Sequence, residues 1–266
     1  MKTPITLVDD ENGNKRLTMP GDLSSHLTTH AYLYLQPNGW FNDYPCDEEG
    51  ITPWMTFPAI SFLKDILSKE HKIFEYGIGY STAFFHQYVG QVSGVEHDQE
   101  WIDKVKYNIP NADIHHAPEN EIVHEEAVEL VNDFIKNFPQ IRSDNREHDL
   151  KHGLINDEFA GYASKLYHYE KGYFDIIVLD GMARSLTGVM AVERLKEGGM
   201  IILDNSDRWH YNSLQQHLAT KGFKRIDFWG PGFNSHHAWC TSIFSKNLPF
   251  SNHRLERPVT EGLIFT

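Results

Sequence analysis

Two apolar runs end in groups that could do chemistry. Phe174-Asp-Ile-Ile-Val-Leu closes on Asp180, and Met200-Ile-Ile-Leu closes on Asp204 and Asn205. Continuous apolar runs of this length read as buried parallel strands. Their polar ends then fall at the carboxyl edge of a sheet, where α/β proteins bind ligands. Two carboxylates and an amide oxygen make a hard, oxygen-only set. It suits Mg²⁺ or Mn²⁺, with waters and substrate oxygens completing six positions. Such an ion would hold an acceptor hydroxyl in line and lower its pKa. A plainer reading stands beside this one: Asp180 serves only as a base or a ligand contact, and Asp204 caps the helix that follows.

A second constellation lies in Lys72–Phe85, K-I-F-E-Y-G-I-G-Y-S-T-A-F-F. Ile73 and Phe74 suit a buried strand. Gly77 and Gly79 suit a tight turn that lets a ligand approach the backbone. Ser81 and Thr82 are cap residues for the helix beyond. Strand, Gly-rich turn and helix form the entry unit of a nucleotide-binding α/β fold. Gln91-Val-Ser-Gly-Val-Glu96-His97 then gives a second strand ending in an acid. It falls about 20 residues beyond Glu75, the place from which an acid accepts hydrogen bonds from ribose hydroxyls.

The spacing leaves two cofactor classes open. Dinucleotides are met by G-x-G-x-x-G with a pyrophosphate at the helix N-terminus. Here Thr82 stands where the third glycine would be, and Glu75 would repel phosphate. The same acid suits a cationic ligand with an amino group. S-adenosylmethionine, with its sulfonium, ammonium and ribose and no phosphate, fits. The alternative is a βα turn that needs its glycines for shape alone.

With these motifs the chain resembles the class I S-adenosylmethionine-dependent methyltransferases, from about Trp54 to Lys246. The resemblance is carried by P-W-M-T-F-P at 53–58, F-E-Y-G-I-G-Y-S-T at 74–82, V-E-H-D at 95–98, I-V-L-D-G-M-A-R at 177–184, L-D-N-S-D-R at 203–208 and F-K-R-I-D-F-W-G at 223–230. It looks closest to bacterial and viral methyltransferases associated with glycan modification. The resemblance implies a Rossmann-like α/β fold: a seven-stranded, mostly parallel sheet with a reversed final strand, flanked by helices. Residues 1–52 would be an N-terminal extension, a lid or a contact within a homo-oligomer. Residues 53–247 would be the methyltransferase domain, with an insertion over about 120–170 between the third and fourth strands. Residues 248–266 would be a tail.

The resemblance also implies roles. Trp54 and Thr56 would touch the methionine part of the cofactor, Glu96 and His97 its ribose side, and Ala117 would lie near the adenine. Asp180, Asp204 and Asn205, on neighbouring strands, look like the Asp, Asp-Asn set of cation-dependent catechol-type O-methyltransferases. The expected activity is methyl transfer to a hydroxyl of a sugar, nucleotide sugar or other small polyhydroxylated acceptor, assisted by Mg²⁺ or Mn²⁺. Three alternatives remain: a metal-independent methyltransferase on another small molecule, a dinucleotide-dependent oxidoreductase, and a non-catalytic binding module. The acids at 75, 96, 180 and 204 speak against the last.

Other candidates sit at the same sheet edge. His236 and His237, in Gly230-Pro-Gly-Phe-Asn-Ser-His-His, follow a parallel strand and are candidate bases. Arg184 and Arg208 stand just beyond Asp180 and Asn205. Either they bind a phosphate or carboxylate of the acceptor, or they pair with local acids.

Composition narrows the field. The chain has 266 residues, 40% apolar and 13% aromatic, with two cysteines, Cys46 and Cys240, and a formal net charge of −13. That suits an α/β domain with additions and a reducing, cytoplasmic setting. An acidic balance disfavours nucleic acid and anionic membrane as partners. No run of about 18 apolar residues marks a membrane span, and the first residues carry no secretory leader pattern.

The remaining elements follow from period and punctuation. Asp9 to Gly13 reads as a turn between short strands, and a helix carries Ile60, Leu63, Ile66 and Leu67 on one face. A third strand covers Ala112–His116, with His115 and His116 on opposite sides. Val123, Ala127, Leu130, Val131, Phe134 and Phe138 form a helical stripe, followed by a charged loop over 139–157. A helix over Thr187–Lys196 is closed by Gly198 and Gly199.

Overall fold

The computed structural model describes residues 6–9, 15–18, 46–47, 50–106, 109, 111–137, 157–230, 232 and 238–248. Two short hairpins come first. β1 (Thr6–Asp9) pairs antiparallel with β2 (Lys15–Thr18) on either side of the expected turn, and β3 (Cys46–Asp47) pairs with β4 (Gly50–Ile51). Residues 19–45 and 249–266, and the stretch expected as a charged loop apart from Asp157, lie outside the described residues.

The apolar runs then alternate with helices: α1 (Phe57–Ile66), β5 (Lys72–Tyr76), α2 (Tyr80–Tyr88), β6 (Gln91–Glu96), α3 (Gln99–Lys106) and β7 (Asp113–His116). The segment after β7 contributes α4 (Val128–Asn137) and α5 (Ala160–Ser164). The chain then returns through β8 (Phe174–Leu179), α6 (Arg184–Arg194), β9 (Leu195–Leu203), α7 (Asn212–Thr220), β10 (Lys224–Gly230) and β11 (Trp239–Ser245). One seven-stranded sheet results, in the order β10-β11-β9-β8-β5-β6-β7. β11 runs antiparallel to both neighbours; the pairs β8–β9, β5–β8, β5–β6 and β6–β7 are parallel. This is the mostly parallel α/β sheet with a reversed final strand that the sequence predicts.

Side-chain parity splits the interior into two cores. Phe74 and Tyr76 of β5 join Ile177, Leu179, Ile201 and Leu203 beneath α4, α5, α6 and α7. Ile73 joins Ile176, Val178, Ile202 and Ile243 beneath α1 and α2. Glu75 shares the parity of Ile73, so it points under α2. The segment between β7 and β8 is bound into the first core, where Val131, Phe134, Phe159, Tyr162 and Leu166 are buried. The Tyr76 hydroxyl donates to the Ala163 carbonyl at 2.6 Å. His115 and His116 do face apart: His115 Nε2 meets the Tyr169 hydroxyl at 2.9 Å, and His116 Nε2 meets the His97 carbonyl at 3.0 Å.

Two boundaries differ from the sequence reading. α6 begins at Arg184, not Thr187, and ends at Arg194, and Gly198 and Gly199 lie inside β9 instead of closing the helix. Leu195 caps α6 and at once pairs with Phe174, after which the register jumps to Ile176 against Met200. The glycines fill that irregularity, with Gly198 at φ +78, as the extra residues of a bulge do.

Gly77 and Gly181 bring the ends of β5 and β8 together. Gly77 has φ +82, and a Cβ there would lie 2.4 Å from the Gly181 Cα. Gly222 has a similar φ of +85 but open space around it. The two positions separate backbone strain from crowding. G222A should cost about 1–2 kcal/mol for the left-handed conformation. G77A should lose a further ~1–3 kcal/mol for the clash. Urea unfolding of the two variants measures the difference, and equal losses would contradict it.

Candidate functional site

The carboxyl ends of β5, β6, β8 and β9 open onto a cavity of about 350 Å³, within the usual range of ligand pockets. Its floor is backbone, from Gly77, Gly79 and Gly181. One wall is aromatic. The rings of Trp54 and Tyr80 are 6.0 Å apart, and those of Tyr80 and Trp101 are 5.8 Å apart. Trp101 is fixed by its indole N–H, which donates to the Ile78 carbonyl at 2.7 Å. Trp54 keeps 39% of its surface exposed at the rim.

The second wall is acidic. Glu96 ends β6, and its Oε1 accepts from the backbone N–H of His97 at 2.7 Å and of Asp98 at 3.1 Å. His97 Nδ1 lies 2.5 Å from the same oxygen. This bond, more than nearby charge, holds the His97 pKa above the ordinary histidine value. Asp98 lines the cavity too, while its Oδ1 caps α3 by accepting from the Glu100 and Trp101 N–H groups. The third wall comes from the loops after β8 and β9: Asp180, Met182, Arg184, Arg208 and Tyr211.

Glu75 does not reach this cavity. It is fully buried, and its two oxygens accept from the hydroxyls of Ser81 and Thr82, each at 2.5 Å. Thr82 Oγ1 in turn accepts from the Gly79 N–H at 2.7 Å. The carboxyl therefore braces the Gly77–Gly79 turn from below. Burial lifts its pKa to about 8, against the two hydroxyl donors. At neutral pH it is mostly protonated, and the expectation that it meets a ligand's amino group directly is corrected to a supporting role.

Of the expected oxygen set, the Asp180 carboxylate and the Asn205 amide oxygen converge, but on the Arg184 side chain, and Asp204 joins them only through its backbone carbonyl. Arg184 Nε donates to the Gly181 carbonyl at 3.1 Å. One terminal nitrogen donates to the Asp204 carbonyl at 2.7 Å and to Asn205 Oδ1 at 3.3 Å. The other meets the Asp180 carbonyl at 2.8 Å and Asp180 Oδ1 at 2.7 Å. Asp204 is buried, and its Oδ1 accepts from Thr241 Oγ1 at 2.5 Å and from the Trp239 indole at 3.1 Å. Among the described residues no group of three or more His, Cys, Asp or Glu side chains is placed to hold a metal. The residues do not fit the Mg²⁺ or Mn²⁺ expected from the sequence, because a guanidinium holds the position. Burial raises the Asp180 carboxyl above the usual aspartate range, while Arg184 and Arg208 pull it back. Arg184 itself is driven further above its usual value, burial being outweighed by the charges around it.

The cavity thus gathers Trp54, Gly77, Gly79, Ser81, Glu96, His97, Asp180, Arg184 and Arg208 of the residues singled out in the sequence. Thr56, Thr82, Ala117, Asp204 and Asn205 lie behind it. Thr56 is buried as a tie, its hydroxyl donating to the Phe228 carbonyl at 3.0 Å and its N–H to Thr241 Oγ1 at 3.2 Å. Ala117 is buried in the first core, its N–H donating to the Glu96 carbonyl at 2.8 Å. His236 and His237 lie outside the described residues. Tyr80, Trp101 and Tyr211 escaped the sequence reading as lining residues. Tyr80 and Trp101 sit in the first turns of α2 and α3 and Tyr211 is the N-cap of α7, and that position, where a helix leaves the carboxyl edge, was the available signal.

No family model matches the chain, and no curated protein matches it. Among solved structures it is similar to an rRNA methylase from Streptococcus thermophilus, at 11% identity over 71% of this chain and 93% of that one, with a TM-score of 0.42. A methyltransferase-like protein from Silicibacter pomeroyi is 15% identical over 75% and 91% of the two chains, with a TM-score of 0.44. A TehB-like SAM-dependent methyltransferase from Corynebacterium glutamicum is 14% identical over 85% and 96%, with a TM-score of 0.40. No residue's role follows from likenesses this distant. The fold is a Rossmann-like seven-stranded α/β sheet, and no helix among the described residues is long and apolar enough to cross a membrane.

The Glu75 brace has a pH signature. Its folded pKa, about 8, lies above its ordinary value of 4.5. The stability it contributes is therefore full below pH 4.5 and is lost as pH rises towards 8. E75Q keeps the shape of the protonated carboxyl and cannot ionise. Thermal melts at pH 5, 6.5 and 8 should show the variant gaining on the wild type as pH rises. A constant difference would contradict the buried, protonated brace.

Proposed function

We propose that the chain is an S-adenosylmethionine-dependent methyltransferase acting on a small acceptor, with Asp180 as the proton acceptor. One observation carries the reading: the Gly77–Gly79 turn, Glu96 and Asp180 line a single cleft. The acids and the aromatic wall suit a cationic, ribose-bearing ligand. A dinucleotide is disfavoured. The cations of the cleft, Arg184 and Arg208, come from the loops after β8 and β9, not from the Gly-rich turn where a pyrophosphate would lie.

Bound S-adenosylmethionine would supply an electrophilic methyl group. The chain's own residues divide the rest. Glu96, pinned by two backbone N–H groups, presents a fixed acceptor for ribose hydroxyls, and His97 flanks it. Gly77, Gly79 and Trp54 border the methionine side, and Glu75, Ser81 and Thr82 hold that turn in shape. Asp180, its side chain 20% exposed, accepts the proton as the acceptor–methyl bond forms and the carbon–sulfur bond breaks. The proton would end on the Asp180 carboxylate, whose negative charge is neutralised as the positive charge of the methyl donor is, so charge balances.

The acceptor we favour is a hydroxyl of a sugar, nucleotide sugar or related polyhydroxylated molecule with an anionic group. Arg208 supports this, as a cation on the Asp180 wall. Trp54 supports it too, as an exposed ring on which a sugar can stack.

Titration calorimetry with S-adenosylhomocysteine tests the reading. The expected result is micromolar binding, weakened at least tenfold in E96A. D180N should keep that affinity and lower kcat by about 10²–10⁴, the usual share of a general base. Binding of NADH in place of S-adenosylhomocysteine would sink the proposal.

A further inference from the structure

We propose that the Arg184 guanidinium is a fixed internal cation. It takes the position among the Asp180 carboxylate, the Asn205 amide oxygen and the Asp204 carbonyl that a divalent ion would otherwise hold, so that the Asp180 carboxylate is positioned without metal. The carboxylate's use in methyl transfer rests on the function proposed above; the occupancy of the position does not.

Donor arithmetic comes first. A guanidinium has five N–H groups and no acceptor. Arg184 meets five oxygens, from Gly181, Asp204 and Asn205 and twice from Asp180. Every donor has an acceptor on the two loops that end β8 and β9, so no N–H is left over for a ligand. Arg184 lines the cleft yet is not placed to grip an acceptor's phosphate or carboxylate. Arg208 is the candidate for that. By meeting both the carbonyl and Oδ1 of Asp180 with one nitrogen, Arg184 fixes the rotamer of the carboxylate that faces the cleft.

The fold also accepts three unfavourable features to put the charge there. The side chain is 10% exposed, and burying a charge requires full pairing. Arg184 opens α6, where the helix dipole disfavours a cation. Ala183 before it has φ 50 and Asn205 opposite it has φ 50. The left-handed region is uncommon for alanine, and such outliers cluster where the surroundings demand them. A salt link needed only to join two loops would not require this combination. Arg184 is thus a positioning residue, acting through Asp180.

Removing the guanidinium should expose a cation site. In calorimetry with MnCl₂ after chelator treatment, the wild type should give no binding that depends on Asp180. R184A should gain Mn²⁺ binding in the micromolar to millimolar range, lost again in R184A/D180N. Millimolar guanidinium should compete for the same position and raise the melting temperature of R184A but not of the wild type. Wild-type Mn²⁺ binding abolished by D180N would overturn the proposal, as would a folded R184A that takes up neither cation. If R184A does not fold, R184K decides. It keeps the charge with three donors, and should exclude Mn²⁺ and bind S-adenosylhomocysteine within threefold of the wild type. An R184K that binds Mn²⁺ or loses the nucleoside ligand overturns the proposal. Failure of the wild type to bind S-adenosylhomocysteine would instead remove the methyltransferase reading and leave the Mn²⁺ result standing.

Discussion

Gly77 and Gly181 touch backbone to backbone, and the rest of the site is measured from that contact. A Cβ on Gly181 would sit 2.1 Å from the Tyr162 hydroxyl and 2.6 Å from the Gly77 nitrogen. The adjacent strands β5 and β8 can thus end with their following loops pressed together. Above the contact lies the floor of the cleft. Below it, Tyr162 closes the first core. Beside it, the Gly181 carbonyl takes the Nε–H of Arg184. Widening this contact would move the Gly-rich turn away from the Asp180 wall and separate the two halves of the cleft.

The charges around that contact are handled in three ways. Glu75 is buried under hydroxyl donors and held largely neutral. Glu96 is tied to two backbone N–H groups and to the His97 ring. Asp180 is paired with a guanidinium. Three acids close enough to repel one another therefore coexist because each meets a different partner. The cleft keeps two carboxylates, Glu96 and Asp180, on separate walls.

The sequence made the sheet legible because its central strands are buried on both faces. Phe174–Leu179 and Met200–Leu203 admit no amphipathic reading, so their polar ends had to mark the carboxyl edge. Glu75 was misplaced for a reason also present in the sequence. Parity within Ile73-Phe-Glu-Tyr76 puts the acid with Ile73, under the helix that carries Ser81 and Thr82. The approach of Asp180 and Asn205 to one centre was legible, but neither that centre nor the turning of the Asp204 carboxylate to Thr241 and Trp239 was. Which cation they surround depends on α6 starting at Arg184, and that start hinges on a left-handed Ala183 that no local propensity favours. The Gly198-Gly199 pair misled for a similar reason: a helix stop and a strand bulge both call on glycine.

The long connection between β7 and β8 has a consequence for how this chain can be taken apart. In sequence it resembles an accessory, far longer than a crossover requires. In space, Val131, Phe134, Phe159, Tyr162 and Leu166 belong to the core that seals one face of the sheet. Tyr76, one residue from the Gly-rich turn, hangs its hydroxyl on the Ala163 carbonyl. Excising the connection would not yield a smaller, simpler domain. It would strip the lining from behind the cleft, so the segment is a structural wall of this protein and not a detachable module that could be exchanged between relatives.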